Sequence, residues 1–389
     1  MKVTALATHG PPQAVRAALA ARGWDSERSR LAASGLAPLI LLLEDIGEPA
    51  REALVRWGVR AGADVLTGDG WALVSAAASR LAVLARPDRA PAELAELVPE
   101  LARVLIGCAD PPRRWAIAGG EIALDTPVLV GILNVTPDSF SDGGRFATVE
   151  AVLAQADTLK ADGCRLLDVG GESTRPGSTP VPAPEETGRV VPVIDALVRR
   201  GLGPISVDTR KAEVASAALD AGASVVNDVS GLAFDPGLAG LVARAGAGLV
   251  LMHMRGTPET MDGLARYGDV AVEVAGELRQ AAAQAEAAGV AREHIVLDPG
   301  FGFAKTPEQS FRLLAELDPI VGLGYAVLVG PSRKRFLGAA TGRPPEDRDR
   351  ATAVACALAW QHGARLFRVH DARLAREALA LACALDAEP

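Results

Sequence analysis

Gly131-Ile-Leu-Asn-Val-Thr-Pro-Asp-Ser-Phe-Ser-Asp-Gly-Gly144 changes character halfway along. Its first residues complete an apolar run over 128–135, the length of one buried strand, and Pro137 ends it. The remainder is polar and glycine-rich, with Phe140 alone among hydroxyls and carboxylates. An apolar strand that opens into such a loop is the sequence form of a strand-end binding site. A lone aromatic there has little core to pack against, so Phe140 is better explained as a residue that closes over a ligand.

Outward from this strand the same unit recurs. Short apolar runs follow at 164–171, 204–209, 224–229, 248–254, 294–300, 326–332 and 366–370. Helical stretches at 148–162, 184–200, 210–221, 236–245, 268–288, 307–317, 347–362 and 371–385 alternate with them. Eight strands and eight helices in strict alternation over about 260 residues are the size and order of a (β/α)8 TIM barrel, an α/β fold. A doubly wound open sheet is the competing fold. It usually has fewer strands and a Gly-x-Gly-x-x-Gly turn after the first one, which is absent here.

Residues 1–110 have a different texture and read as a small N-terminal α/β domain of unassigned role. Strands are expected at 3–7, 38–43 and 64–66, and helices at 12–21, 48–60, 70–84 and 90–106. Residues 111–127, beginning Pro111-Pro-Arg-Arg114, form the linker and barrel entry, and 128–389 the barrel. Glu44-Asp45 follows a strand and is read as a solvated strand end.

Composition narrows the function. With 389 residues, 49% of them hydrophobic, a large core is available. A net charge of −8 without a basic tract argues against a general nucleic-acid binder. Cys108, Cys164, Cys356 and Cys383 are too scattered for a zinc site or a disulfide framework, which favours reduced thiols in the cytoplasm. His9-Gly-Pro-Pro12 breaks any secretory apolar segment, and the apolar run at 36–43 is too short to cross a bilayer, so no membrane association is expected.

The C-terminal ends of barrel strands are the default place for chemistry. Reading them off gives Asn134, then Asp168 with Glu172, Asp208, Asn227 with Asp228, and Met252 with His253 and Arg255. Asp298 follows, then Ser332-Arg333-Lys334, and Arg368 with His370. Carboxylates and amides gather at the second, third, fourth and sixth strands, and cations at the seventh and eighth. The basic end matches the usual phosphate position of such barrels. The acidic end suits a flat ring with several N–H donors, pterin-like or purine-like, because carboxylates only accept. Any one residue has a structural reading. Asp208-Thr-Arg210 can start a helix, Asp298-Pro-Gly300 can be a turn, and His253 can bond locally. Convergence of eight strand ends favours a site. Two polar, glycine-rich loops, 136–146 and 170–180, follow neighbouring strands and have the composition of lids.

These motifs make the chain resemble the dihydropteroate synthases, folate-pathway enzymes that are sulfonamide targets. They are Asn134-Val-Thr-Pro-Asp-Ser-Phe-Ser-Asp-Gly-Gly144, Leu167-Asp-Val-Gly-Gly-Glu-Ser-Thr-Arg-Pro-Gly177 and Ser206-Val-Asp-Thr209. With them go Val226-Asn-Asp228, Leu297-Asp-Pro-Gly-Phe-Gly-Phe303, Ser332-Arg-Lys334 and Arg368-Val-His370. The resemblance runs from about residue 115 to the C-terminus; residues 1–110 lie outside it. It implies condensation of 6-hydroxymethyl-7,8-dihydropterin diphosphate with p-aminobenzoate, releasing pyrophosphate, by an SN1-like route. It implies a pterin pocket of Asp208, Asn227, Asp298 and Lys334, with Met252 and Phe303 beside it. Asn134, Arg368 and His370 would meet the pyrophosphate, Asn134 also as a Mg²⁺ ligand. Phe140, Thr174 and Arg175 would line the p-aminobenzoate site, and Asp142 would order the first loop around the developing cation. A homodimer packed through late barrel helices is also implied.

Three rivals remain from the sequence. A pterin-binding methyltransferase domain of corrinoid systems shares the barrel and the pterin-facing acids. A catalytically silent paralogue would bind pterin, or a partner through its N-terminal unit. A metal-dependent barrel would use Asp168, Asp208 and Asp298 as ligands, which the amide of Asn227 and the basic cluster suit poorly.

Overall fold

The computed structural model of the chain describes residues 38–109, 111–135, 145–173 and 178–386. The chain divides into two compact units at Asp110/Pro111.

In the first unit, strand β1 (Pro38–Glu44), helix α1 (Glu48–Ala61), strands β2 (Asp64–Gly68) and β3 (Trp71–Ala77), and helices α2 (Ala78–Leu84) and α3 (Leu97–Ala109) follow in order. The strands form an antiparallel sheet in the order β1-β3-β2. Leu54, Trp57, Val74, Leu81, Leu84 and Leu94 are its buried core. The helix expected over 70–84 is only half right, because its first half is the central strand. Gly68 pairs with Trp71 across the two-residue loop Asp69-Gly70, and Gly70 takes φ 77°. Asp-Gly at that spacing is a strong hairpin signal, and pairing on both edges outweighs the helix propensity of the alanines. The strand expected at 3–7 and the helix at 12–21 lie outside the described residues.

The second unit opens with a hairpin, β4 (Arg114–Ile117) and β5 (Gly120–Ala123), where only a linker was expected. The eight barrel strands are β6 (Val128–Asn134), β7 (Leu166–Gly170), β8 (Ile205–Asp208), β9 (Val225–Asp228), β10 (Gly248–Met252), β11 (Ile295–Asp298), β12 (Ala326–Val329) and β13 (Leu366–Val369). All neighbours are parallel, and β13 pairs with β6, Leu366 opposite Val128, to close the barrel. Around it run α4 (Arg145–Ala161), α5 (Ala183–Arg199), α6 (Ala212–Asp220), α7 (Gly237–Ala245), α8 (Val270–Ala287), α9 (Pro307–Ala315), α10 (Asp318–Val321), α11 (Arg335–Thr341), α12 (Asp349–Gln361) and α13 (Ala372–Asp386). The barrel expectation holds, with two refinements. The stretch read as one helix over 307–317 ends at Ala315, and Asp318-Pro319 begins α10, a short further helix. The short α11 after β12 had no counterpart in the sequence reading.

Side chains alternate along each strand, so residues two apart share a face. Outward residues such as Leu167, Val169, Val207, Leu251 and Leu297 join the helices in one core. Inward residues Val128, Val130, Leu166, Val225, Val250, Val296, Leu328 and Leu366 form a second core with Trp115, Ile117, Ile122 and Leu124 of the hairpin. The hairpin thus plugs the N-terminal mouth. Trp115 is 1% exposed and its indole N–H donates to the His294 carbonyl at 2.8 Å. Gly248 has to be small there, because a Cβ would sit 2.9 Å from Trp115.

A candidate pterin site at the C-terminal barrel mouth

One step of two residues along four inward faces replaces the apolar core with polar groups: Leu166 is followed by Asp168, Val225 by Asn227, Val296 by Asp298, and Leu366 by Arg368. On β8 Ser206 is followed by Asp208, and on β10 Val250 by the apolar Met252. Parallel strands carry all of these to one end.

Arg368 ties the group together. Its Nε donates to Asp168 Oδ2 at 2.6 Å and its Nη2 to Asp208 Oδ2 at 2.7 Å, linking residues 200 and 160 positions apart. Asn227 Nδ2 donates to the same Asp168 oxygen at 3.2 Å. The acidic and basic ends that looked separate in the sequence therefore meet across the mouth. Burial explains it, since carboxylates this enclosed need a partner. Burial also pushes the Asp208 carboxyl up to about 7 against the pull of Arg368, with Asp168 adding to the rise. Asp298 is pushed up to about 6 by burial, opposed by the Gly300 N–H, which donates to its Oδ1 at 2.7 Å, and by Lys334 and Arg368. Burial holds Lys334 down at about 7, with Arg368 acting the same way and Asp298 and Asp208 opposing.

Lys334 Nζ stands 3.8 Å from the centre of the Phe303 ring, a cation–π contact. Phe303 clusters with Met252, Met261, Val229 and Ala304. Just before Lys334, Arg333 takes the left-handed conformation (φ 57°) and holds Asp349 through two hydrogen bonds of 2.8 and 2.7 Å. That strained turn carries the chain from β12 into α11 and leaves Lys334 over Phe303. Ser332 Oγ contacts His370 Nδ1 at 2.9 Å and accepts from the His370 backbone N–H at 3.2 Å, which fixes the imidazole. Asn134 ends β6 at the same mouth, opposite Gly170.

The structure therefore brings Asp208, Asn227, Met252, Asp298, Phe303, Lys334, Arg368, His370 and Asn134 to one barrel end. Phe140, Asp142, Thr174 and Arg175 lie outside the described residues. Two candidates have structural work instead. Asp228 accepts from Ser230 and Leu232 and shapes the turn after β9. Glu172 accepts from Lys211 Nζ at 2.7 Å and Arg210 Nη2 at 3.1 Å, which ties the end of β7 to the segment after β8, and from the Val181 N–H at 3.2 Å. Lys211 also pairs with buried Glu186. Sequence reasoning placed Asp168 at a strand end but missed that it anchors Arg368. It also missed Lys305, which has no strand-end position and is buried beside His253.

The pterin-binding enzyme family profile matches residues 130–370. A dihydropteroate synthase of Synechocystis is 46% identical over 260 residues, 66% of this chain and 87% of that protein. The Bacillus subtilis dihydropteroate synthase is 43% identical over 246 residues, 63% and 84%. The Xanthomonas albilineans dihydropteroate synthase solved with 4-aminobenzoic acid superposes with a TM-score of 0.67 at 46% identity, covering 71% of this chain and 99% of that one. The same organism's enzyme solved with 7,8-dihydropteroate gives 0.64 at 44%, covering 71% and 100%. The chain belongs to the pterin-binding enzyme family, and within it to the dihydropteroate synthases. The family profile starts at residue 130, so it leaves the first unit out.

Proposed function

We infer that this barrel joins 6-hydroxymethyl-7,8-dihydropterin diphosphate to p-aminobenzoate and releases pyrophosphate. The observation that carries the reading is the convergence at one mouth of buried acceptors (Asp208, Asp298, Asn227) with half-buried cations (Arg368, Lys334). A ring rich in N–H donors that carries a diphosphate needs both.

Asp208, Asn227 and Asp298 accept the ring's N–H groups, and Lys334 and Phe303 flank it with Met252. Carboxylates around the ring favour the positive charge that develops as the C–O bond breaks. Arg368, His370 and Lys334 receive the departing diphosphate. Its negative charge favours the protonated form of Lys334, which burial otherwise disfavours. The arylamine then attacks as a neutral amine, so no strong base is required. Phe140, Thr174 and Arg175 would line the p-aminobenzoate side, and Asp142 would order its loop around the cation.

Among the described residues, no cluster of three His, Cys, Asp or Glu side chains could hold a metal ion. Asn134 offers a neutral amide oxygen beside a basic cluster. That donor set fits Mg²⁺ arriving on the diphosphate and keeping water and phosphate as its other ligands. Bound there with Asn134, Mg²⁺ would neutralise charge on the leaving group.

Val354 and Leu358 on α12 and Leu381 and Leu385 on α13 are exposed apolar residues, one helical turn apart on each helix. They support a homodimer through these late helices. Among the described residues no helix is long and apolar enough to cross a membrane. The free thiols Cys164 and Cys356, both buried, support a cytoplasmic setting.

The test is to supply Mg²⁺, the pterin diphosphate and p-aminobenzoate to folded full-length protein. Dihydropteroate and pyrophosphate should appear together and only with all three. A folded protein that makes neither refutes the reading.

A further inference from the structure

Lys305 sits behind the pterin site rather than in it. It is 3% exposed, and its three ammonium protons have three acceptors: the Gly300 carbonyl at 3.1 Å, the Phe303 carbonyl at 3.0 Å and His253 Nδ1 at 2.8 Å. Two of these lie in the turn between Asp298 and Phe303. That turn is unusual backbone. Gly300 (φ 66°), Gly302 (φ 74°) and Ala304 (φ 48°) are all left-handed, and for Ala304 this conformation is strained. The turn also presses against β10, since a Cβ on Gly300 would come within 2.1 Å of the His253 carbonyl oxygen. Beyond Lys305, Thr306 and Gln309 form a capping box that starts α9, so the turn's exit is fixed as well.

We propose that Lys305 is a positioning residue of the pterin site, holding the turn in the shape that sets Phe303 against Lys334 while keeping a positive charge beside Asp298. The inference rests on the synthase reading above and names a residue of the same site. The charge has support from behind. His253 Nε2 faces Glu277 Oε2 at 2.9 Å, and Glu277 is also bound by Arg255. Burial pulls Lys305 down to about 7; Asp298 and Glu277 favour its charge against that fall, while Arg255 and Lys334 add to it. Asp298 faces Lys334, Arg368 and Lys305, and each favours its ionised form. Loss of the Lys305 charge therefore has two separable consequences: a looser Phe303, and an Asp298 that takes up its proton at higher pH.

The test is Lys305→Met in the full chain. Steady-state kinetics are run against both substrates, and kcat/KM for the pterin diphosphate is followed from pH 5 to 9. Wild-type protein must first make dihydropteroate; its failure refutes the synthase reading, not this one. Given active wild type, Lys305→Met should raise KM for the pterin diphosphate at least tenfold and leave KM for p-aminobenzoate within about twofold. The acid limb of kcat/KM should move up by about one pH unit. Equal loss toward both substrates with an unmoved limb, or no loss, overturns the proposal. Should Lys305→Met not fold, Glu277→Gln reads the same charge from the surface. A smaller upward shift of the limb supports the proposal, and an unmoved limb overturns it.

Discussion

The two ends of this barrel are built from the same eight strands, two residues apart, and do opposite work. At the N-terminal end Val296, Leu166, Val225 and Leu366 close around Trp115 in a dry apolar plug. At the C-terminal end the next inward residues are Asp298, Asp168, Asn227 and Arg368. The lower end gains stability by burying apolar surface. The upper end buries groups that are costly to bury, and the proposed function accounts for them as partners of a ligand. A single strand thus carries both a fold-stabilising and a fold-straining residue.

The contrast can be broken from either side. Trp115→Ala should have the largest effect, a loss of about 3–5 kcal/mol of stability, with kcat of the folded fraction unchanged. Urea unfolding and turnover measured on one preparation would check it, and a matching fall in kcat would contradict the division. Arg368→Ala reverses the pattern. Loss of its contacts to Asp168 and Asp208 should lower kcat about 10²–10³-fold, so wild-type turnover would remove the pyrophosphate assignment.

Acidity separates the ends more gently. Asp208 and Asp298 have carboxyls raised to about 7 and about 6, so kcat/KM should fall as pH drops through that window and the acceptors protonate. Their contribution to stability runs the other way. A raised folded pKa means stability present below the unfolded value of 3.8 and lost as pH rises through about 6–7. The difference in urea midpoint between wild type and Asp208→Asn should therefore change across pH 5–8. A pH-independent difference would show that Asp208 does not titrate in this range. The smallest effect is expected from removing residues 1–110, which lie outside the family match and whose described part, 38–109, belongs to a compact unit of its own. Turnover should stay within about twofold, and a larger loss measured on folded protein would give the first unit a part in catalysis.

Much of this was legible in the residues. The strands could be counted from apolar runs and the turns that end them, and the polar candidates Asp208, Asn227 and Asp298 were visible at the C-terminal ends of such runs. Local signals also misled. Alanines after Gly70 suggested a helix where Asp69-Gly70 makes a hairpin, and 111–127 read as a linker although Trp115 fills the barrel floor. Lys305 was passed over because its position follows no strand end.

The sequence by itself determined the alternating elements, the end of the barrel that carries chemistry and the family motifs, because run length, period and turn residues are local properties. Only the tertiary structure decided which groups meet. Arg368 reaches Asp168 and Asp208 across 200 and 160 residues, Lys334 lies on Phe303, and Lys305 turns back on Gly300 and Phe303. Closure of β13 on β6 brings distant strand ends to one mouth, and burial there makes each charge find its partner.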